Sequence, residues 1–215
     1  MGARQPLIIL GTHAFAEEVA DLVGDCDGYE LTAFAENWDR SRCSSMLLGL
    51  PIVWIEDLPS LIKTHVAVCA IGTTRRSQFI ESVTTMGFRF GIVTHPTARV
   101  SRTSSVGAGG ILSAGVVIAS HTNIGAHVIV NRGSLIGHHT TIADYVTISP
   151  GANIAGRISI GEGTYIGIGA TILNDIRVGN HSVVGAGSVV TRDVPDNVQV
   201  LGVPARITKE NIHEK

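Results

Sequence analysis

Aliphatic residues recur at every sixth position along more than a third of the chain: Val100, Val106, Leu112, Ile118, Ile124, Val130, Ile136, Ile142, Ile148, Ile154, Ile160, Ile166, Ile172, Val178, Val184 and Val190. The next residue in each hexad is nearly always small, as at Gly107, Ser113, Ala119, Gly125, Gly137, Ala143 and Ser149. Three hexads make one triangular coil of 18 residues, so the pattern predicts a parallel β-helix over residues 98–194, about five coils long. The aliphatic side chain points inward on each face, and the small residue lets the chain turn where a larger side chain would collide with the next coil. Residues 18 apart then stack at roughly 4.8 Å, the spacing between strands of any β-sheet. Sequence distance therefore reads as distance in space.

Before the repeat the pattern changes to short apolar runs alternating with helical segments. Leu7-Ile8-Ile9-Leu10 is followed at once by Gly11-Thr12-His13-Ala14, and Phe15 to Val23 has helical periodicity, which predicts strand, turn and helix. A second strand, Glu30 to Phe34, runs into Ala35-Glu36-Asn37. Gly49-Leu50-Pro51-Ile52-Val53 carries a third element, and His65 to Ile71 is a buried strand closing on Gly72-Thr73-Thr74-Arg75-Arg76. Such alternation implies an α/β domain with Rossmann-like βαβ units and a parallel sheet. The expected division is an α/β domain over residues 1–93 and an all-β helix with a C-terminal tail over residues 94–215.

In parallel sheets of this kind ligands lie beyond the carboxyl ends of the strands, and the first helix N-terminus holds a phosphate on its free amides. That makes Gly11, Thr12, His13, Ala14, Glu36, Asn37 and Gly72 the candidate substrate-binding residues, with Glu36 placed to contact a ribose hydroxyl. The full Gly-x-Gly-x-x-Gly fingerprint is absent, and a single glycine after a strand equally describes a plain turn.

Composition narrows the classes. Hydrophobic residues at 44% with only 5% aromatics suit a core of stacked small aliphatics. A net charge of −2 predicts no affinity for nucleic acid or an anionic membrane. There is no signal peptide and no apolar run long enough to span a bilayer. Cys26, Cys43 and Cys69 lack metal-ligand spacing and cannot all pair, which predicts a cytoplasmic protein with no metal.

Within the repeat, His138 and His139 stand out against a Gly, Ser and Thr background. A neutral imidazole can take a proton from an amine or hydroxyl as it attacks an acyl carbon. Gly156 lies 18 residues after His138, so its amide is expected one coil along on the same face, where an N–H could hold a developing oxyanion. Solvated corner histidines and a corner glycine are the bland alternatives. His121 lies 18 residues before His139 and should stack on it, while His127 and His181 share that hexad slot, as an exposed position would.

Over essentially its whole length the chain resembles the bacterial sugar acyltransferases that include the NeuD-type sialic acid O-acetyltransferases and the PglD-like N-acetyltransferases of nucleotide-linked amino sugars. The resemblance lies in the strand-glycine-helix start, Gly49-Leu50-Pro51-Ile52-Val53, Ile71-Gly72, His95-Pro96 and Val130-Asn131-Arg132-Gly133-Ser134-Leu135-Ile136-Gly137-His138. It continues through Val184-Gly185-Ala186-Gly187-Ser188-Val189-Val190-Thr191-Arg192-Asp193-Val194-Pro195 and Gly202-Val203-Pro204-Ala205-Arg206. What it implies is a left-handed β-helix of the hexapeptide-repeat superfamily, a homotrimer with active sites between neighbouring β-helices, and a cytoplasmic transferase serving surface polysaccharide or glycan synthesis. Acetyl-CoA would be co-substrate and a nucleotide-linked or free sugar the acceptor. The family's catalytic base falls on His138, its oxyanion amide on Gly156, and its acetyl-CoA contacts near Ile168, Ala186 and Gly187. Three places depart from the family: the acidic residue after the base is His139, a second histidine near the acetyl group is Thr147, and the family's Gly-x-Gly-Gly-His turn is Gly11-Thr12-His13-Ala14-Phe15. N-acetylation of an amino sugar is the leading reading. O-acetylation of a sialic-acid-type sugar, a catalytically inactive binding relative, and a zinc site assembled from His121, His139 and a neighbour's His127 are its alternatives.

Overall fold

The structure, a computed structural model, describes residues 4–73 and 76–212; Thr74 and Arg75 of the predicted Gly72–Arg76 turn, and the last three residues of the tail, lie outside the described residues. The N-terminal part is built from β1 (Gln5–Leu10), α1 (Ala14–Gly24), β2 (Tyr29–Glu36), β3 (Met46–Leu47), β4 (Leu50–Trp54), β5 (Val66–Cys69), α2 (Arg76–Thr85) and β6 (Arg89–Phe90). The sheet order is β3-β4-β2-β1-β5-β6, parallel except for the β3–β4 pair. The end of β1 and all of β5 are buried, as strands covered on both faces are. Leu7, Ile8, Ile9 and Leu10 of β1 are fully buried. The chain crosses from β1 to β2 on one side and to β5 on the other, so the ends of β1 and β5 form the switch point where such sheets open a crevice.

From Val93 onward the chain winds as a β-helix of two-residue strands in three parallel sheets. Pairing runs between residues 18 apart, as in Ile111 with Ile129, Leu135 with Asn153, and Thr141 with Ser159. The winding starts slightly earlier than the aliphatic count suggests, because Val93–Thr94 pairs with Ile111–Leu112. The hexad aliphatics fill the axis, Ile118, Ile136, Ile148, Ile154, Ile166 and Ile172 among them. The small residue beside them is a steric need: a Cβ on Gly137 would stand 2.5 Å from the carbonyl carbon of Ala155 in the next coil. The last coil shortens, with Val183 pairing Gln199, and the antiparallel strands Gln199–Gly202 and Ala205–Lys209 close the end of the first sheet. The part of the predicted tail up to Lys209 is therefore a strand.

The outward positions of the first β-helix sheet dock the α/β domain. Ile111 and Ile129 pack with Leu7, Ile9, Val19 and Phe34. Where the sheet turns polar, Arg76 takes over. Fully buried at the start of α2, its guanidinium donates to the carbonyls of His127, Tyr145 and Val146, to Thr73 O and to Thr147 Oγ1, at 2.7 to 3.3 Å. Burial among these neutral acceptors pushes its pKa down to about 10. Hydrogen bonds from a charged donor contribute about 1.5–3 kcal/mol each, so the guanidinium holds the two domains in register.

Candidate active site

His138 and His139 sit exposed at one corner of the β-helix. The repeat places Gly156 beneath His138, and the ring lies so close that a Cβ on Gly156 would meet its Cε1 and Nε2 at 2.8 Å. His138 Nδ1 lies 3.0 Å from His139 Nδ1. One of the two must donate. If His138 carries its proton on Nδ1, His139 accepts it, and the His138 Nε2 lone pair faces the groove over Gly156. His139 thus occupies the orienting position where the resemblance implies a carboxylate. His121 stacks on His139 as the 18-residue spacing predicts, with ring centroids 4.8 Å apart. Further along this corner Arg157 and Asp175 form a two-point ion pair at 2.6 and 2.7 Å, and the Arg157 hydrogen bond holds the Asp175 carboxyl below its ordinary pKa.

The expected role of the Gly156 amide is corrected by Asn174, one coil beyond. The Gly156 N–H already donates to Asn174 Oδ1 at 2.9 Å. Because an N–H needs an acceptor, the carboxamide orientation is set and its NH2 group is turned away as a donor. The imidazole of His138 and the carboxamide of Asn174 therefore converge on Gly156 from opposite sides. Sequence reasoning missed Asn174, although its 18-residue offset from Gly156 was the available signal.

Thr147 also departs from expectation. It is 4% exposed, accepts from Arg76 Nη1 at 2.7 Å and donates to Gly72 O at 3.3 Å, so its hydroxyl docks the domains and is closed to a cofactor. Ile168, Ala186 and Gly187 do gather at one corner, where Gly187 N–H donates to Ile168 O at 2.8 Å and Ile168 is 59% exposed. This corner precedes the second sheet of each coil, whereas His138 follows it. The base and these residues thus occupy different corners of one triangular coil.

His127 is buried, contrary to an exposed hexad slot. It stacks on Tyr145 and meets Phe90 edge-on, its Nδ1 has no hydrogen-bond partner, and burial pushes its pKa down to about 4. Enclosed within its own chain, it is not available to a neighbour's metal site. Among the described residues no three His, Cys, Asp or Glu side chains gather as metal ligands.

At the switch point the structure joins Gly11, Thr12, Glu36 and Asn37. Gly11 adopts φ +115°, and a Cβ there would stand 3.2 Å from Ala70 O, so a side chain is excluded on both counts. His13 caps α1 with no side-chain bond and Ala14 is exposed, leaving the first-turn amides facing outward. Glu36 turns its carboxylate to its own loop and the glycine turn. It is 5% exposed: Oε1 accepts from the amides of Asn37 (2.9 Å), Trp38 (2.8 Å) and Asp39 (3.4 Å), and Oε2 takes the Thr12 hydroxyl and lies 3.8 Å from Arg42 Nε. Burial raises its pKa, and the hydrogen bonds from Thr12 and the three amides outweigh it, so the carboxyl stays below its ordinary value. Arg42 Nη2 donates to Thr12 O at 2.6 Å. Gly72, half-buried, faces the β-helix through Thr147, with Phe15 at 4.0 Å from a hypothetical Cβ.

Among the described residues no helix is long and apolar enough to cross a membrane. The profile of the bacterial transferase hexapeptide family (six repeats) matches residues 157–192. No curated protein matches the chain by sequence. Among solved structures, a variant of GDP-perosamine N-acetyltransferase from Caulobacter crescentus, in complex with CoA and GDP-perosamine, is 30% identical with a TM-score of 0.89, covering 97% of this chain and 99% of that one. The acetyltransferase domain of PglB from Neisseria gonorrhoeae, in complex with acetyl coenzyme A, is 30% identical with a TM-score of 0.87, covering 95% and 100%. WeeI from Acinetobacter baumannii is 28% identical with a TM-score of 0.84, covering 94% and 98%. With 30% identity sustained through both the α/β part and the β-helix, the chain belongs to the NeuD/PglD-like sugar acyltransferases of the hexapeptide-repeat superfamily.

Proposed function

We propose that the protein transfers the acetyl group of acetyl-CoA to the amine of a nucleotide-linked amino sugar, with His138 as general base, in bacterial glycan synthesis. The carrying observation is the His138 ring poised over Gly156 with Nδ1 oriented by His139 at 3.0 Å. His138 Nε2 takes the proton of the amine as its nitrogen bonds to the acyl carbon, and the imidazolium returns that proton to the departing thiolate. Because Asn174 Oδ1 takes the Gly156 N–H, its NH2 is left as a donor for the carbonyl oxygen. Acetyl-CoA supplies the acyl group, and the exposed corner of Ile168, Ala186 and Gly187, apolar at Ile168 and open at Gly187, suits its approach. The α/β part, up to about residue 93, would hold the nucleotide and the β-helix the reacting groups.

Because that corner and His138 are separated on one chain, a second copy is needed to bring them together, and a homotrimer does so three times. Gly115, Gly133, Gly151, Gly169 and Gly187 line this corner at φ 63–70°. The other two corners fill the same conformation mostly with side chains, among them His139, Tyr145, Arg157 and Asp175, with glycine only at Gly109 and Gly163. A Cβ at Gly133, Gly151, Gly169 or Gly187 would meet nothing of its own chain within 4 Å. Their lack of side chains therefore fits close contact from outside, and the neighbouring outward positions Val117 and Leu135 are exposed and apolar. Three free cysteines are in keeping with a reducing cytoplasm as the place of the reaction.

Free-thiol release from acetyl-CoA, measured against UDP-, GDP-, dTDP- and CMP-linked amino sugars and their hydroxyl counterparts, tests the reading. Turnover on one acceptor should fall roughly 100- to 10,000-fold in His138→Ala with acetyl-CoA affinity kept. Undiminished turnover in that variant, or bound acetyl-CoA with no turnover on any acceptor, would overturn it.

A further inference from the structure

We infer that the indole of Trp38 is the platform on which a nucleotide base stacks, so that the switch-point site takes a nucleoside diphosphate by its aromatic base as well as by its phosphates. The inference rests on the nucleotide-linked acceptor proposed above.

The chain has two tryptophans. Trp54 is engaged within the fold: its Nε1 donates to Glu56 at 2.9 Å and Arg40 lies 5.6 Å from its ring centre. Trp38 is 92% exposed, the most exposed large apolar side chain among the described residues. An indole in water forgoes the burial that normally makes tryptophan stabilising, yet its loop is rigidly built. The amides of Asn37, Trp38 and Asp39 all converge on Glu36 Oε1, and the other oxygen of that carboxylate is tied to Thr12 of the glycine turn. One buried carboxylate thus fixes both the turn that presents the α1 amides and the backbone of Trp38. β1 and β2 are direct neighbours, with Leu10 opposite Ala35, so the turn after one strand and the indole after the other share the same edge of the sheet.

Charge completes the arrangement. Arg42 is anchored to Thr12 O, and its buried Nε has no hydrogen-bond partner. A diphosphate over the α1 amides would lie beside this guanidinium, and the attached nucleoside would extend toward the loop after β2, the side on which nucleosides lie in doubly wound sheets. Stacking on an aromatic ring tolerates every base, since each has a π-face. The edges of Asn37 and its loop would then choose among bases.

The probes are ADP, GDP, UDP and dTDP. In a Trp54→Phe background, where Trp38 is the sole indole, at least one should quench tryptophan emission saturably. Calorimetry with that nucleotide should show affinity roughly 10- to 100-fold weaker in Trp38→Ala, and recovered to within several-fold in Trp38→Phe. The exposed position leaves the Ala variant free to fold. Wild-type affinity in Trp38→Ala would overturn the platform while the nucleotide-linked acceptor stands. Wild-type protein that binds none of the four would overturn the platform and, with it, a nucleoside-diphosphate-linked acceptor.

Discussion

Gly156 has no side chain where His138 needs the space. The ring occupies the volume a Cβ would take, with Cε1 and Nε2 at 2.8 Å, while Asn174 holds the Gly156 amide from the other side. Gly156→Ala should therefore tilt the imidazole out of line and lower kcat roughly 100-fold, the cost of misplacing a reacting group by about an ångström. Gly156 is buried, but what the new Cβ meets is the exposed ring of His138, which can swing aside, so the thermal midpoint should hardly move. Parallel kinetic and melting measurements check this, and a variant with unchanged kcat would separate the ring's position from its function. The stacking of His138 on Gly156 was legible in the 18-residue repeat. The use of the Gly156 amide was not, because which acceptor meets an N–H depends on side-chain reach across a coil. Glu36 shows the same limit: its place after the second strand was readable, but its enclosure by Thr12, Arg42 and three amides arises only when the loop folds back on it.

Corners and strands behave as elements with their own energetics. At the corner against α2, His127 is pressed between Tyr145 and Phe90, and its pKa of about 4 lies below the 6.5 of an unfolded histidine. Between these values the unfolded chain binds a proton that the folded chain refuses. The stabilising contribution is complete above pH 6.5 and is lost as pH falls toward 4. Urea titrations should show the wild type losing about 2 kcal/mol between pH 7 and pH 5, while His127→Asn, which suits the φ of +56° there, should be nearly flat over the same range. Equal pH slopes for the two proteins would refute the assignment. Nothing in the hexad pattern marks this histidine as buried, since the corner becomes interior only where the α/β domain docks.

At the scale of the whole molecule the corner proposed for acetyl-CoA and the proposed base lie on different edges of the coil, and the proposed trimer would join them through a second copy. Leu135, 44% exposed on the second sheet, is an outward position with no partner in its own chain's core. Leu135→Glu should reduce the assembly to monomers in sedimentation equilibrium and abolish turnover, with the circular dichroism of the β-helix unchanged. An intact assembly would move the contact to another face.

The β-helix, its axis, and the stacking of His121 on His139 and of His138 on Gly156 were determined by the sequence alone, because a strict period converts residue number into position along one axis. The alternating strands and helix of the first domain were readable for a similar reason, since local periodicity follows burial. Only the tertiary structure decided how the two domains meet through Arg76 and Thr147, how Glu36 and the Gly156 amide are occupied, and that Trp38 stands in solvent on a fixed loop. Arg76 with His127 and Thr147, Thr147 with Gly72, and Thr12 with Glu36 join residues 24 to 75 apart with no common period, while the Gly156–Asn174 bond keeps the 18-residue spacing but is chosen by side-chain reach. Such partners are set by the packing of whole elements.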